Sequence, residues 1–447
     1  MKAMKNRVDK PSLLPLHFTP EPDEEFNRQL GALRQLLGSE VEFMSPALLG
    51  SPVPANADAV LLPQVLGQAY RSVQKLKAIR VPILIITSEF GTVSMWDWEI
   101  AAYLRSEGIE PLSPCNLSQA KMICRALGVK RQLSESKFLV FQDNPGAGFQ
   151  ASIFKRFYWW ENECTERIAA KFGVEIVRKS FKQLGESAAA IADADAKEVA
   201  KNRAIPVDGV SSHSLLSALK IYLAVKRELD KDGAFQAAGI NCLNESHFSD
   251  TTPCLAWNLL YEEERLMWGC EADTMSMLTK LILHRSLDVP IMMTNLYPFI
   301  LGEAALKHEK IPAFPDVHEP DNCFLVAHCG YLGVLPQSFS THWDLKPKVL
   351  AIVNNNATAI DARLPEGPVT MAKMHPKLDR MSVAEGCIER YVQYPGSDCR
   401  NGGVIRVKNG PALVQSLASH HYLITTGRNE SDIRLLGKIF NFGVESV

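Results

Sequence analysis

Four short segments of this 447-residue chain end or begin an apolar run with side chains that can do chemistry. In the first, Gly269-Cys-Glu271-Ala-Asp273-Thr274 follows the apolar Leu266-Met-Trp268, and Met275, Leu278 and Ile282 then fall on one face of a helix. Asp273 stands where a helix N-cap belongs, its carboxylate accepting from backbone amides of the first turn. Glu271 lies two residues ahead of that cap, at the exit of the strand, and an ionised carboxylate there suits a metal ligand or a general base. The second segment, Ala327-His328-Cys329-Gly330, ends the run Phe324-Leu-Val-Ala327. The third, Ser419-His420-His421-Tyr422, introduces an apolar strand, and the fourth, Thr294-Asn295, follows Pro290-Ile-Met-Met293. Imidazole and carboxylate groups carry protons and bind divalent cations. A lone histidine at a strand end is more often a packed or surface residue, and adjacent histidines point to opposite faces, so only one of His420 and His421 faces a given site. Singly, these signals are weak.

The elements that must position them read as alternating strands and helices. Val81-Pro-Ile-Leu-Ile-Ile-Thr87, Phe138-Leu-Val-Phe141, Val174-Glu-Ile-Val177, Ala238-Gly-Ile-Asn-Cys-Leu243, Leu266-Met-Trp-Gly-Cys270, Pro290-Ile-Met-Met293 and Phe324-Leu-Val-Ala327 are continuous apolar runs separated by helix-length segments. That pattern predicts parallel strands covered on both faces, an α/β fold of two doubly wound, Rossmann- or flavodoxin-like units. Ligands of such sheets gather at the carboxyl ends of the strands. The alanine-rich helical stretch from Phe181 to Asn202 reads as the join between the two units. After Leu345 the punctuation by Pro and Gly changes: Val349-Leu-Ala-Ile-Val353, Val369–Met374, Cys387–Val392 and Val404–Val407 are short strand candidates, and their spacing predicts a small antiparallel barrel or sandwich, of which the β-barrel is preferred. A helix over Asn429–Phe440 closes the chain. The expected division is therefore 1–180 for an N-terminal α/β domain, 181–345 for a central one carrying Glu271 and His328, and 346–447 for a C-terminal barrel carrying His421.

Composition removes several classes of function. Fifty acidic and 48 basic residues leave a net charge of −2, without the basic excess of a general nucleic-acid binder. No apolar run reaches the roughly 18 residues of a membrane span, and Met1–Pro20 has no apolar core of a secretory signal. A cytoplasmic protein with no nucleic-acid or membrane partner is expected. Ten cysteines include no C-x-x-C pair, so they read as reduced core residues rather than a zinc ribbon or redox motif. Asn144-Pro-Gly-Ala-Gly148, at a strand end, reads equally as a loop that wraps a ligand and as just a turn, and it is not a dinucleotide fingerprint. There is no G-x-S-x-G nucleophile elbow, and Glu262-Glu-Glu-Arg265 reads as a solvated helix face. Met95-Trp96-Asp97-Trp98 offers an aromatic wall for a sugar face, with Trp96 the preferred substrate contact, although buried helix packing is the better account of at least one of the two indoles.

In order and context the four segments resemble the L-fucose/L-arabinose isomerase family. Cys254-Leu-Ala-Trp257 through Cys270-Glu-Ala-Asp-Thr-Met-Ser-Met-Leu-Thr279 is similar to the segment that supplies a metal-binding glutamate there. His328-Cys329-Gly330 resembles the next ligand segment, and His420-His421 the last histidine motif. Thr87-Ser-Glu-Phe-Gly91 with Met95-Trp-Asp-Trp-Glu99 resembles distant members. The likeness runs from about residue 80 to the C-terminus and is strongest over 240–332. It implies two α/β domains and a C-terminal barrel, assembled as homotrimers or homohexamers with sites between subunits. It also implies Mn²⁺ as cofactor and aldose–ketose isomerisation of a small sugar through an enediol. By the same resemblance Glu271 is a metal ligand and acid/base, His328 a ligand or a group behind one, and His421 the C-terminal ligand, with His420 the alternative. The family's second catalytic carboxylate falls on Asn295, whose amide can bind a metal but is no base. Glu303, Asp316, Glu319 and Asp321 are carboxylates that could replace it from a displaced position, though solvated loop charge is the preferred reading of all four. Two alternatives share this site: a non-catalytic sugar-binding or regulatory protein, and a metal-dependent epimerase or lyase.

Overall fold

The computed structural model describes residues 9–64, 68–87, 96–144, 155, 158, 160–232, 235–299, 316–328, 334–394 and 401–447. It is a mixed α/β fold built on parallel sheets and a closed antiparallel barrel. In the first sheet, β1 (Ser12–His17) lies at the centre, with β2 (Glu42–Phe43), β3 (Ala47–Leu48), β4 (Ala59–Leu62) and β5 (Ile83–Ile85) all parallel. Every residue of β4 and β5 is buried, as strands covered on both faces require. The second sheet runs β7-β6-β8-β9, with β6 Lys137–Phe141, β7 Glu175–Lys179, β8 Phe235–Ile240 and β9 Met267–Cys270, again all parallel.

The barrel follows. Its strands are β10 (Ile291–Pro298), β11 (Cys323–Ala327) and, after the ribbon of β12 (His342–Pro347) and β13 (Thr358–Arg363), β14 (Gly367–Met374), β15 (Arg380–Gln393), β16 (Asn401–Val407) and β17 (His421–Thr426). The order β14-β17-β10-β11-β16-β15 closes through a β14–β15 pairing, every contact antiparallel, and β18 (Gly443–Ser446) adds to β15 in parallel.

Two expectations need correction. Ile291–Met293 and Phe324–Ala327 are barrel strands, not members of a parallel sheet. They read as parallel strands because both faces are covered, which erases the alternation a half-solvated antiparallel strand would show. Strand pairing does not break at residue 180, since β6 and β7 pair within the same sheet as β8 and β9, nor at 345, since β10 and β11 join the barrel. Val349–Val353 is irregular chain and turn, not a strand. The region 181–202 forms the helices Phe181–Ala189 and Asp193–Lys201, and the closing helix is Glu430–Phe440.

One helix holds the second sheet to the barrel. Thr274–Leu287 packs on β8 and β9 on one side and on β14 and β17 on the other, and every residue in it but His284 is buried. Two glycines let it lie close. A Cβ on Gly239 would fall 2.2 Å from Met277 Cε, and one on Gly269 would fall 2.7 Å from both Met277 Cε and the Asp273 carbonyl oxygen. The N-terminus of this helix carries the chemistry.

Candidate functional site

β9 ends at Cys270, and the chain turns into the helix through Glu271 and Ala272, with φ of 54° and 56°. Two successive non-glycine residues in the left-handed region cost about 1–3 kcal/mol each, so the surroundings must hold them. The Asp273 amide donates to the Cys270 carbonyl at 3.0 Å, and Trp160 Nε1 donates to the Ala272 carbonyl at 3.0 Å. Asp273 then caps the helix, accepting from the Ser276 amide at 2.7 Å and from Ser276 Oγ at 2.7 Å. The cap role read from the sequence is present, and the same carboxylate does more.

Asp273 is the hub of a buried charge network. Lys373 Nζ, from β14, lies 2.9 Å from Asp273 Oδ2 and donates to Ser276 Oγ at 2.6 Å. His421 Nδ1, from the first residue of β17, lies 2.9 Å from the same Oδ2. The side chains of Asp273 and His421 are 0% exposed and that of Lys373 is 1%. Burial works to raise the Asp273 pKa, but the Lys373 charge and the His421 contact outweigh it and hold the carboxyl below its ordinary range. Burial drives His421 the other way, well below an ordinary imidazole, with His420 adding to the effect. A neutral ring beside an acceptor-only carboxylate carries its proton on Nδ1, which donates to Asp273 and leaves Nε2 as an acceptor.

That Nε2 faces Glu271, 3.9 Å from Oε2. Glu271 is 5% exposed. Tyr158 stacks on His421 with ring centres 4.6 Å apart and planes 4° from parallel. The Tyr158 hydroxyl lies 3.1 Å from His420 Nε2 and 3.5 Å from His421 Nε2. Burial, with Glu271 and Asp273 nearby, raises the phenol's pKa and keeps it neutral. His328 follows the end of β11, with its ring centre 5.9 Å from that of His421. It is buried, its Nδ1 has no hydrogen-bond partner, and burial, then Lys280 and His420, lowers its pKa to about 3. Lys280, wholly buried in the helix, donates to the Trp268 carbonyl at 2.9 Å and lies 3.8 Å over the Trp268 ring.

Three of the residues singled out in the sequence thus converge: Glu271 from the exit of β9, His421 from the start of β17 and His328 from the end of β11. Asn295 joins them through register, because its backbone in β10 sits opposite His421 on one side and Ala327 on the other. Its Nδ2 donates to the Tyr297 hydroxyl at 3.2 Å, and its Oδ1 is buried with no partner. His420 contacts the Tyr158 hydroxyl, so His421 is the histidine aimed at Glu271. Trp96 opens the helix Trp96–Ser106, but its side chain lies outside the described residues, as do Ser88–Met95, Pro145–Gly148, Glu303, Cys329 and Gly330. Asp316, Glu319 and Asp321 are exposed and precede β11, at the end of the strand away from His328. They match the solvated loop charge expected of them.

Sequence reasoning missed Lys373, Tyr158 and Lys280. The lysines carried a signal, as single cations inside Val369-Thr-Met-Ala-Lys-Met374 and Met275–Leu283, where the neighbours are buried. Tyr158 carried none.

A carboxylate and an imidazole are donors of the kind a hard divalent cation takes. Glu271 Oε2 and His421 Nε2 face each other at 3.9 Å. The Asp273–His421 bond is the support a metal-binding imidazole commonly has, fixing the tautomer and ring plane. The orphaned His328 Nδ1 lies in the same cluster. Among the described residues no group of three His, Cys, Asp and Glu side chains stands ready to hold an ion. No helix among the described residues is long and apolar enough to cross a membrane.

A scan against protein-family models returns no match for the chain, and no curated protein matches it.

Proposed function

We propose that this protein is a metal-dependent aldose–ketose isomerase acting on a small sugar or sugar derivative. The observation that carries the reading is the facing pair of Glu271 and His421, with His421 locked by Asp273 so that its Nε2 lone pair is presented to Glu271. On this reading the chain is a cytoplasmic homotrimer or homohexamer built from two doubly wound units and the barrel, and it engages neither nucleic acid nor membrane.

Glu271 and His421 would hold the cation, with His328 beside it. A bound Mn²⁺ would supply Lewis-acid stabilisation of the negative charge that develops on the sugar oxygens. The chain's own residues do the rest. Glu271, with its backbone set by the strained turn, takes the proton from C2 and returns it to C1 of the enediol, while the hydroxyl proton on O2 passes to O1. Asp273 fixes the imidazole tautomer and offsets the buried Lys373 charge. Tyr158 covers the His421 ring and excludes water from it. Asn295 offers an amide oxygen that can accept from a sugar hydroxyl, and it abstracts no proton at neutral pH. The same Asn295 favours a second reading, a sugar-binding protein on this scaffold without turnover.

Mn²⁺ binding tests the centre of the proposal. Titration followed by electron paramagnetic resonance should show one site per chain, weakened tenfold or more in Glu271→Gln and in His421→Gln. Unchanged affinity in both variants would remove the metal from the site.

A further inference from the structure

A polar cavity of about 510 Å³ opens at the far end of the helix Thr274–Leu287. Fourteen residues at 1.5 Å each put it about 20 Å from Glu271. Arg125, Arg265 and Arg285 line it, with Lys10 and His284, against Tyr261 and Phe339. Arg285 is nine-tenths buried, at 7% exposure, yet its partners are neutral: Gln132 Oε1 and Gln236 Oε1, each at 2.6 Å, and the Arg265 carbonyl at 3.3 Å. Burial lowers its pKa only to about 10, so it remains a cation at neutral pH. Arg125 donates to the Ser286 carbonyl at 3.0 Å, and the Arg265 guanidinium lies 5.0 Å over the Tyr261 ring. Among the described residues none of the three arginines makes an ion pair. The carboxylates of Asp9, Glu40 and Asp288 also line the cavity, but they are exposed or half-buried and lie beyond ion-pair distance of the guanidiniums.

Two of these contacts serve the carbonyls that end neighbouring helices, which accounts for arginine as a donor but not for three unpaired guanidiniums around one cavity. We propose that the cavity binds a small phosphate-bearing ligand, clamped by Arg125, Arg265 and Arg285. Guanidinium forks match the oxygens of a tetrahedral dianion, and such a group offsets charge that one carboxylate would offset only in part. The volume exceeds what a bare phosphate fills, and the Tyr261 and Phe339 rings offer a wall for a small organic body, so a phosphate monoester is the expected occupant. The site is distinct from the Glu271 cluster and does not depend on the isomerase reading.

Isothermal titration without divalent metal, at ionic strength matched with chloride, tests it with inorganic phosphate, glycerol phosphate and ribose 5-phosphate as probes. Saturable binding at one site per chain is expected, weakened tenfold or more in R125Q and in R265Q, both half-buried positions whose folding circular dichroism checks. Tighter binding of the esters than of inorganic phosphate identifies the organic occupant, and equal binding identifies free phosphate. Absence of saturable binding to the wild type, or affinity unchanged in both variants, would overturn the proposal.

Discussion

Replacing Lys373 by Met leaves the Asp273 carboxylate buried with two Ser276 donors and His421 but no ammonium. Breaking a buried ion pair from one side costs about 3–5 kcal/mol, because the surviving charge keeps its desolvation penalty. Asp273→Asn strands the lysine instead, while retaining an N-cap acceptor as good as the original. The double variant carries no stranded charge, so its loss should fall short of the sum of the two by roughly 2–3 kcal/mol. Since Asp273 caps Thr274–Leu287, the assay is hydrogen exchange of amides in that helix, read beside urea midpoints at constant slope. A Lys373→Met loss below about 1 kcal/mol, or strict additivity in the double variant, would refute the view that Lys373 and Asp273 are an interdependent buried pair.

Two further outcomes follow from the same packing. Gly269→Ala puts a methyl 2.7 Å from the Asp273 carbonyl oxygen and Met277 Cε. It should cost about 1–3 kcal/mol and weaken Mn²⁺ binding together, because the helix N-terminus must shift; wild-type melting and wild-type affinity would contradict the close contact. His284, between the Tyr261 hydroxyl at 2.9 Å and the Val289 carbonyl at 2.7 Å, has its pKa lowered by burial from 6.5 to about 4, against the Val289 carbonyl. The unfolded chain therefore takes up this proton first, so the contribution is complete above about pH 6.5 and is lost as pH falls through about 4. His284→Gln should flatten that part of the urea-midpoint profile between pH 7 and 4, and an unchanged slope would show that the ring does not titrate in this way.

The parts of the fold and site that could be read from the sequence share a physical cause. Glu271, His328 and His421 were legible because each polar residue interrupts or bounds a buried apolar run, and Asp273 because caps have a fixed offset from the helix they start. The parallel strands β5, β6, β8 and β9 announced themselves through continuous apolar runs, and most of the barrel through short punctuated runs. Ile291–Met293 and Phe324–Ala327 were misplaced since burial on both faces looks alike in a parallel sheet and in a barrel strand covered by a helix. Pairing across residue 180, between β6 and β8, is a long-range fact with no local signal. Tyr158 and Lys373 reach the site from separate elements, and only tertiary packing joins them to Asp273 and His421.

Deuterium exchange tests the central claim most directly. The protein would be incubated with Mn²⁺ in D₂O with pentoses, 6-deoxyhexoses and hexoses, and NMR would follow label entering C1 or C2. Enolisation at Glu271 predicts exchange and ketose formation on at least one sugar, dependent on metal and lost in Glu271→Gln. Exchange that persists in Glu271→Gln, or sugar binding without exchange on any member of the panel, would contradict the account.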